Sequence, residues 1–271
     1  MSLRQPAAVR RAFVEVPAGT VHVAQAGESG PPLLLLHQTP RSWDEYRDVL
    51  PLLGERYRAV AMDTIGFGDS SRLPQAEDSI EAWARVALTV LDALGLEEAC
   101  VVGHHTGAVV GVELASQAPE RVRALVLSSV PVYTAEERAR RLSGRAVVDD
   151  VDTSTDGSHV LELWRGRAAF YPADRIDLLE RYLVDALKAG PLAAEGHRVA
   201  ARYDTMAALG RVRCRVLLIG APADPYAYPH LARAQALLPD AETVEIEGGM
   251  VPLPDQLPEQ FAAAVSGFLG T

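Results

Sequence analysis

The hydrophobic positions of this chain alternate between short apolar runs and longer stretches of helical periodicity. Apolar runs at 33–36, 58–62 and 100–102 are bounded by turn-forming residues, which is typical of strands buried on both faces of a parallel sheet. Residues 79–94 and 106–117 repeat apolar positions every three to four residues, as amphipathic helices do. This alternation predicts an α/β fold, with a mainly parallel sheet flanked by helices.

The same patterns assign elements to the rest of the chain. Strands are predicted at 13–16, 21–24, 123–128, 215–219 and 243–246, and helices at 43–53, 231–238 and 257–269. Between 131 and 210 the patterns are helical only, at 134–142, 159–170, 175–189 and 191–209. We therefore expect about eight strands in a core formed by 1–130 and 211–271, with 131–210 inserted as a helical cap.

The ends of the predicted strands indicate where a ligand would bind. In open parallel sheets, ligands bind beyond the carboxyl ends of the strands. The residues that directly follow predicted strands are His37, Asp63, His105, Ser129, Gly220 and Gly248. We expect these residues to share one edge of the sheet and the functional site to lie there.

Residues 103–107 read Gly-His-His-Thr-Gly, between a predicted strand and a predicted helix. This layout matches the Gly-x-Ser-x-Gly nucleophile elbow, a sharp turn that exposes its central side chain above the sheet. The central residue here is His105 instead of serine. The pattern therefore predicts that His105 faces a pocket.

Four segments in the same order give the chain a resemblance to the α/β-hydrolase fold family over nearly its whole length. They are His37-Gln38-Thr39-Pro40, similar to the oxyanion loop, 63–70, similar to the loop after the fourth strand, 103–107, the elbow, and 220–224, similar to the segment with the triad acid. The resemblance implies that Asp224 is the catalytic acid. It also implies that Gln38, Thr39 and Thr106 surround an oxyanion site.

The chain departs from the family's Ser-His-Asp triad at two positions. Histidine stands in place of the serine at 105, and no histidine occurs after His230. The resemblance places the missing base at Gly249, Met250 or Val251, of which Met250 is favoured. A triad needs a hydroxyl, an imidazole that touches it and a carboxylate that orients the imidazole. This chain cannot assemble one at the family's positions.

His105 is the predicted catalytic residue. Its ring would lie at the positive end of the helix that starts at Thr106 and beneath the cap, and both effects disfavour an imidazolium ion. We expect a neutral imidazole that transfers a proton, while backbone N–H groups near Thr39 and Thr106 stabilise an enolate or alkoxide. Such a site suits a lyase, isomerase or cyclase that acts on a small, largely apolar carbonyl compound, as in secondary metabolism.

Two other functions stay open at this point. A hydrolase of esters or C–C bonds would need an atypical arrangement that activates a hydroxyl such as that of Thr106 or Ser129. A non-catalytic binding protein would use the same pocket without a reaction. Asp224 is either a base itself or a relic bonded to the backbone. Gln38 either points its amide into the pocket or holds its own loop.

Aromatic and polar residues near the strand ends are predicted to line the substrate pocket. They are His37, Trp43, His104, Tyr133, Trp164, Tyr226, Tyr228 and Met250. His37 and His104 are interpreted mainly as braces, and His22 is expected at the surface or an edge of its strand. Because the histidine spacing matches no common ligand set, no metal is expected, and the proposed chemistry needs no cofactor.

Composition limits the partners. A formal net charge of −10 argues against a nucleic-acid partner, because phosphate binding needs clustered Lys and Arg. No secretory leader and no run long enough to span a membrane is visible, and Cys100 and Cys214 are expected to be reduced. We expect a cytoplasmic protein that binds a small-molecule substrate and no membrane. The oligomeric state is left open, a homodimer included.

Overall fold

The computed structural model describes residues 7–74, 78–144 and 148–270, and its strands form one eight-stranded sheet. The strands are β1 (Arg10–Val16), β2 (Gly19–Ala26), β3 (Pro32–Leu36), β4 (Arg58–Met62), β5 (Ala99–His104), β6 (Val122–Ser128), β7 (Arg215–Gly220) and β8 (Glu242–Glu245). Their order across the sheet is β1-β2-β4-β3-β5-β6-β7-β8. The pairs β1–β2 and β2–β4 are antiparallel, and all pairs from β4 to β8 are parallel. The predicted α/β fold with a mainly parallel sheet is confirmed.

Helices cover both faces of the sheet. They are α1 (Val49–Leu53), α2 (Ile80–Ala93), α3 (Thr106–Gln117), α4 (Ala135–Leu142), α5 (Ser158–Ala168), α6 (Ile176–Ala189), α7 (Leu192–Arg202), α8 (Thr205–Leu209), α9 (Leu231–Leu237), α10 (Leu253–Gln256) and α11 (Pro258–Leu269). In the described part of the chain, none of these helices is long and apolar enough to cross a membrane.

The core lies on both sides of the central strands. Leu34 and Leu36 of β3 pack into one hydrophobic cluster, and Leu33 and Leu35 pack into the other. Successive side chains of a strand point to opposite faces. A run of four leucines is therefore what a strand buried on both faces requires, and all four are at most 1% exposed.

Three helical boundaries differ from the sequence prediction. The stretch 43–53 divides into a 3₁₀ turn at Trp43–Tyr46 and the short helix α1. The stretch 191–209 divides into α7 and α8, because Asp204 accepts a hydrogen bond from the N–H of Ala207 and starts a new helix. Helix α10 was not predicted, since four residues give too little periodicity.

Helices α4 to α8 occupy the chain between β6 and β7. Helix α4 begins with the predicted capping box, in which Thr134 and Glu137 bond to each other's backbone N–H groups. No described residue between 131 and 210 belongs to a strand. We refer to 131–210 as the cap segment. Its treatment as a separate domain stays a prediction.

Candidate active site at the strand ends

The turn between β5 and α3 places His105 at its apex. The residue has φ 46°, a left-handed conformation that is uncommon for a side chain other than glycine, and its N–H donates to the carbonyl of Ser128 at 3.0 Å. A Cβ atom on Gly107 would lie 1.9 Å from the carbonyl oxygen of Leu36. One on Gly103 would lie 2.4 Å from the carbonyl oxygen of Gly107. The flanking glycines are therefore a steric requirement of the turn.

The side chain of His105 contacts Asp224, which follows β7. The distance from Nε2 of His105 to Oδ2 of Asp224 is 2.7 Å, and the carboxylate is fully buried. The ring N–H does not point along this line, so the two atoms are in close contact without an aligned hydrogen bond. The structure thus brings together the apex of the elbow and the expected acid.

The other carboxylate oxygen of Asp224 is held by the backbone. Oδ1 accepts hydrogen bonds from the N–H groups of Tyr226 at 2.9 Å and Ala227 at 3.2 Å. Burial by itself raises the pKa of Asp224, but the His105 ring and these two N–H groups outweigh it and lower the pKa to about 2. Asp224 is therefore an ionised group fixed in front of His105.

His104 is buried behind the elbow and has no free ring nitrogen. Nε2 donates to the carbonyl of Val251 at 2.8 Å, so Nδ1 accepts from the hydroxyl of Ser128 at 2.9 Å. Burial lowers the pKa of His104 to about 3. The residue joins β5 and β6 to the C-terminal segment as a neutral brace, and it does not border the cavity described below.

The loop after β3 is fixed by hydrogen bonds of His37 and Gln38. Nδ1 of His37 donates to the carbonyl of Gln38 at 2.8 Å, and Nε2 accepts from the N–H of Thr64 at 2.8 Å. Gln38 donates its backbone N–H and its side-chain amide to Glu45, at 2.8 Å and 2.5 Å. The amide also reaches the carbonyl of Val251 at 3.5 Å. The side chain of Gln38 therefore holds its loop.

A cavity of about 60 Å³ lies between the elbow and the cap segment. Its walls are formed by Gln38, Thr39, His105, Thr106, Pro131, Tyr133, Arg141, Val148, Arg167, His197, Ala200, Tyr226 and Val251. Within the described ranges, no hydrogen bond is formed by the backbone N–H of Thr39 or of Thr106. Both N–H groups are therefore unpaired within these ranges, and both belong to residues that border the cavity.

Six of the residues predicted to line the pocket lie elsewhere. His37 and His104 are braces, and Trp43 packs under the guanidinium of Arg11. Trp164 packs against the buried cluster of the cap segment. The hydroxyl of Tyr228 donates to Glu245 at 2.7 Å. The N–H of Met250 donates to the side chain of Gln256. The next residue, Val251, borders the cavity instead. Sequence position alone could not decide which way these side chains point.

Sequence reasoning missed three charged or polar residues of the cap segment that border the cavity. They are Arg141, Arg167 and His197. Arg141 lies over the ring of Tyr133, 4.4 Å from its centroid. These side chains make the cavity more polar than expected. No local signal identified them, because each lies in an ordinary amphipathic helix.

One cluster outside the cavity has the composition of a metal site. The ligand atoms of His22, Asp63 and Asp69 lie within 4.8 Å of one another. Arg11 bonds to His22 at 2.9 Å and to Asp69 at 2.6 Å, and Lys188 bonds to Asp69 at 2.6 Å. Two side-chain cations therefore balance Asp69, while Asp63 accepts hydrogen bonds from the N–H groups of Trp43 and Asp69. His22 itself is buried against Phe13 and Trp43 and is not a surface residue, contrary to the sequence prediction.

Known proteins resemble parts of the chain. Residues 31–152 match the family model of the alpha/beta hydrolase fold. Over 129 residues the chain is 36% identical to bifunctional epoxide hydrolase 2 of Sus scrofa, which covers 46% of this chain and 23% of that protein. Over 102 residues it is 39% identical to 2-hydroxymuconate semialdehyde hydrolase of a Pseudomonas species, which covers 36% of each. The matches thus span well under half the length of these relatives.

Solved structures match nearly the whole chain. A hydrolase from Pseudomonas aeruginosa superposes with a TM-score of 0.79, covering 97% of this chain and 99% of that one. The sequence identity is 22%, so the likeness concerns the fold alone. The chain therefore has the α/β-hydrolase fold.

Proposed function

We propose that the protein is a non-hydrolytic enzyme that polarises the carbonyl group of a small substrate and moves a proton beside it. Elimination, isomerisation and cyclisation all belong to this class. The observation that carries the proposal is the contact between His105 and Asp224 at the wall of a cavity, 2.7 Å long. The fold's usual hydroxyl nucleophile is replaced there by an imidazole, so acid/base work suits the site better than acyl transfer.

The N–H groups of Thr39 and Thr106 support the same reaction class. They can donate hydrogen bonds to an oxygen that becomes negative when a proton leaves the neighbouring carbon. Donors of this kind stabilise a transition state by roughly 3–4 kcal/mol each. His105 would act beside them as the proton donor or acceptor at the carbonyl. The small cavity favours a small substrate.

Proton exchange tests the proposal before the natural substrate is known. Purified protein is incubated in D₂O with a panel of small ketones (acetone, butanone and cyclobutanone). Loss of the α-proton signals is followed by ¹H NMR. We expect exchange above the buffer rate, abolished in His105→Ala and retained in His159→Ala, which changes a histidine that does not border the cavity. Exchange at the buffer rate with every ketone, or full exchange in His105→Ala, would contradict the proposal.

A hydrolase is the second candidate, because the matched relatives are an epoxide hydrolase and a semialdehyde hydrolase. It predicts release of p-nitrophenol from p-nitrophenyl acetate well above the buffer rate. Ser129 is a possible source of a hydroxyl, but its buried Oγ does not border the cavity, and it has no hydrogen-bond partner among the described residues. Ester hydrolysis that survives in His105→Ala and is lost in Ser129→Ala would favour the hydrolase.

A further inference from the structure

A second imidazole borders the cavity from the cap segment. His197 of α7 and His105 both contribute to the walls of the same space of about 60 Å³. Nε2 of His197 lies 2.8 Å from Oδ2 of Asp149. A carboxylate only accepts hydrogen bonds, so this ring nitrogen carries the proton. In the neutral ring, Nδ1 then has a free lone pair.

Nothing in the described ranges uses that lone pair. Within 7–74, 78–144 and 148–270, no hydrogen bond involves Nδ1 of His197. Nη2 of Arg167 lies 3.3 Å from the same Nε2, but it also donates to Asp149, and the shorter 2.8 Å contact of Nε2 with Asp149 sets the tautomer. His197 therefore differs from His37 and His104, whose two nitrogens are both bonded within the protein.

The side chain of Asp149 is buried and fixed by several hydrogen bonds, unlike a carboxylate in a surface ion pair. Its carboxylate is 1% exposed and accepts bonds from both Nε and Nη2 of Arg167. The hydroxyl of Tyr182 donates to it at 2.5 Å. Its backbone is left-handed, with φ 65°, which costs about 1–3 kcal/mol for a residue other than glycine. The fold thus maintains a strained, buried carboxylate directly behind the His197 ring.

The charge states of the two residues agree with this geometry. Burial raises the pKa of Asp149, but Arg167 and His197 outweigh it and hold the pKa well below its usual range. Burial lowers the pKa of His197, and Asp149 opposes part of that effect. A neutral imidazole backed by an ionised carboxylate is the form that accepts a proton and is stabilised when it has done so.

We propose that His197 is the second catalytic residue of this site, a base supplied by the cap segment and oriented by Asp149. This inference rests on the proposed function. Nδ1 takes a proton from the carbon next to the substrate carbonyl, and the C–H electron pair becomes the C=C bond of an enolate. The carbonyl π pair moves to oxygen, which the N–H groups of Thr39 and Thr106 stabilise. Returning the proton to a carbon of the enolate completes the step without redox change.

The test compares His197→Gln with the matched control His159→Gln in the ketone exchange assay. Glutamine can still donate to Asp149, so the fold should be preserved, as circular dichroism and urea unfolding will check. We expect the maximal exchange rate of His197→Gln to fall about 10²–10⁴-fold, with KM changed little and His159→Gln like the wild type. Free imidazole should restore part of the rate to His197→Ala, an effect that a purely structural role would not produce.

The positioning role of Asp149 is tested separately with Asp149→Asn. It should lower kcat while leaving KM near the wild-type value. Full exchange in His197→Gln together with loss in His105→Ala would overturn the role of His197 and leave the proposed function standing. Wild-type exchange no faster than buffer would overturn both.

Discussion

Arg41, in the loop after β3, donates from Nε to Oδ2 of Asp185 in α6 at 2.8 Å. The guanidinium is fully buried, and it also bonds to the buried carboxylate of Asp255 before α11. This cluster joins three parts of the chain that are distant in sequence: the loop after β3, the cap segment and the C-terminal segment. It fixes the cap segment above the strand ends, where His197 has to lie.

Replacing Arg41 by alanine should destabilise the protein by about 3–5 kcal/mol, because the buried Asp185 would lose its counter-charge and the buried Asp255 would keep only its pair with Arg181. Urea unfolding measures the change. Arg47→Ala is the control, since Arg47 is half exposed and Asp44 keeps its pair with Arg181, so the change should cost no more than about 1 kcal/mol. Equal losses in the two variants would show that the buried cluster does not stabilise the fold.

Gly107→Ala should prevent the native elbow from forming. The added Cβ would meet the carbonyl oxygen of Leu36 at 1.9 Å, and neither backbone can withdraw without disrupting β3 or α3. We expect a loss above about 4 kcal/mol or no folded protein. Gly166→Ala in α5 meets nothing within 4 Å and should stabilise by up to about 1 kcal/mol. Thermal unfolding of both variants measures these two changes in stability. A Gly107→Ala protein as stable as the wild type would contradict the steric argument.

Asp224→Asn tests whether the acid takes part in the reaction. The substitution preserves the shape of the side chain but removes the charge 2.7 Å from His105. The α-proton exchange rate should fall by about 10²-fold or more. The exposed Asp240→Asn should exchange at the wild-type rate. If Asp224→Asn keeps full activity, Asp224 is a relic that only organises the loop after β7.

The stability of the protein should depend on pH through His104. Burial lowers its pKa from 6.5 to about 3, so between these values the unfolded chain binds a proton that the folded chain does not. The contribution of His104 to the free energy of unfolding is complete above pH 6.5 and falls by about 1.4 kcal/mol per pH unit below it. Burial raises the pKa of Glu45 to about 7 and of Asp255 to about 6, which gives the opposite slope in part of this range.

The contribution of His104 is therefore measured against His104→Gln, in which both carboxyl groups remain. The free energy of unfolding of the wild type, relative to this variant, should rise as the pH increases from about 4 to 6.5. Urea titrations at several pH values give this difference. A difference that is constant with pH would mean that His104 is protonated in the folded protein.

The sequence by itself determined the fold class and identified the turn whose apex borders the cavity. Four leucines at 33–36 identify a strand buried on both faces, because alternate side chains must enter opposite halves of the core. The pattern Gly-His-His-Thr-Gly identifies the elbow, because both glycines are forced by contacts within the turn and with β3. Such requirements are local, or they repeat along a strand, and they are therefore visible as patterns.

Only the tertiary structure decided which side chains meet at the cavity. His105 reaches Asp224 through the parallel arrangement of β5, β6 and β7, and His197 reaches the same cavity through the packing of the cap helices. Trp164 and Tyr228 were predicted to line the pocket because they are aromatic, but their side chains make other contacts. Side-chain direction depends on neighbours distant in sequence, so periodicity identified the helices of the cap segment and left His197 and Asp149 unrecognised.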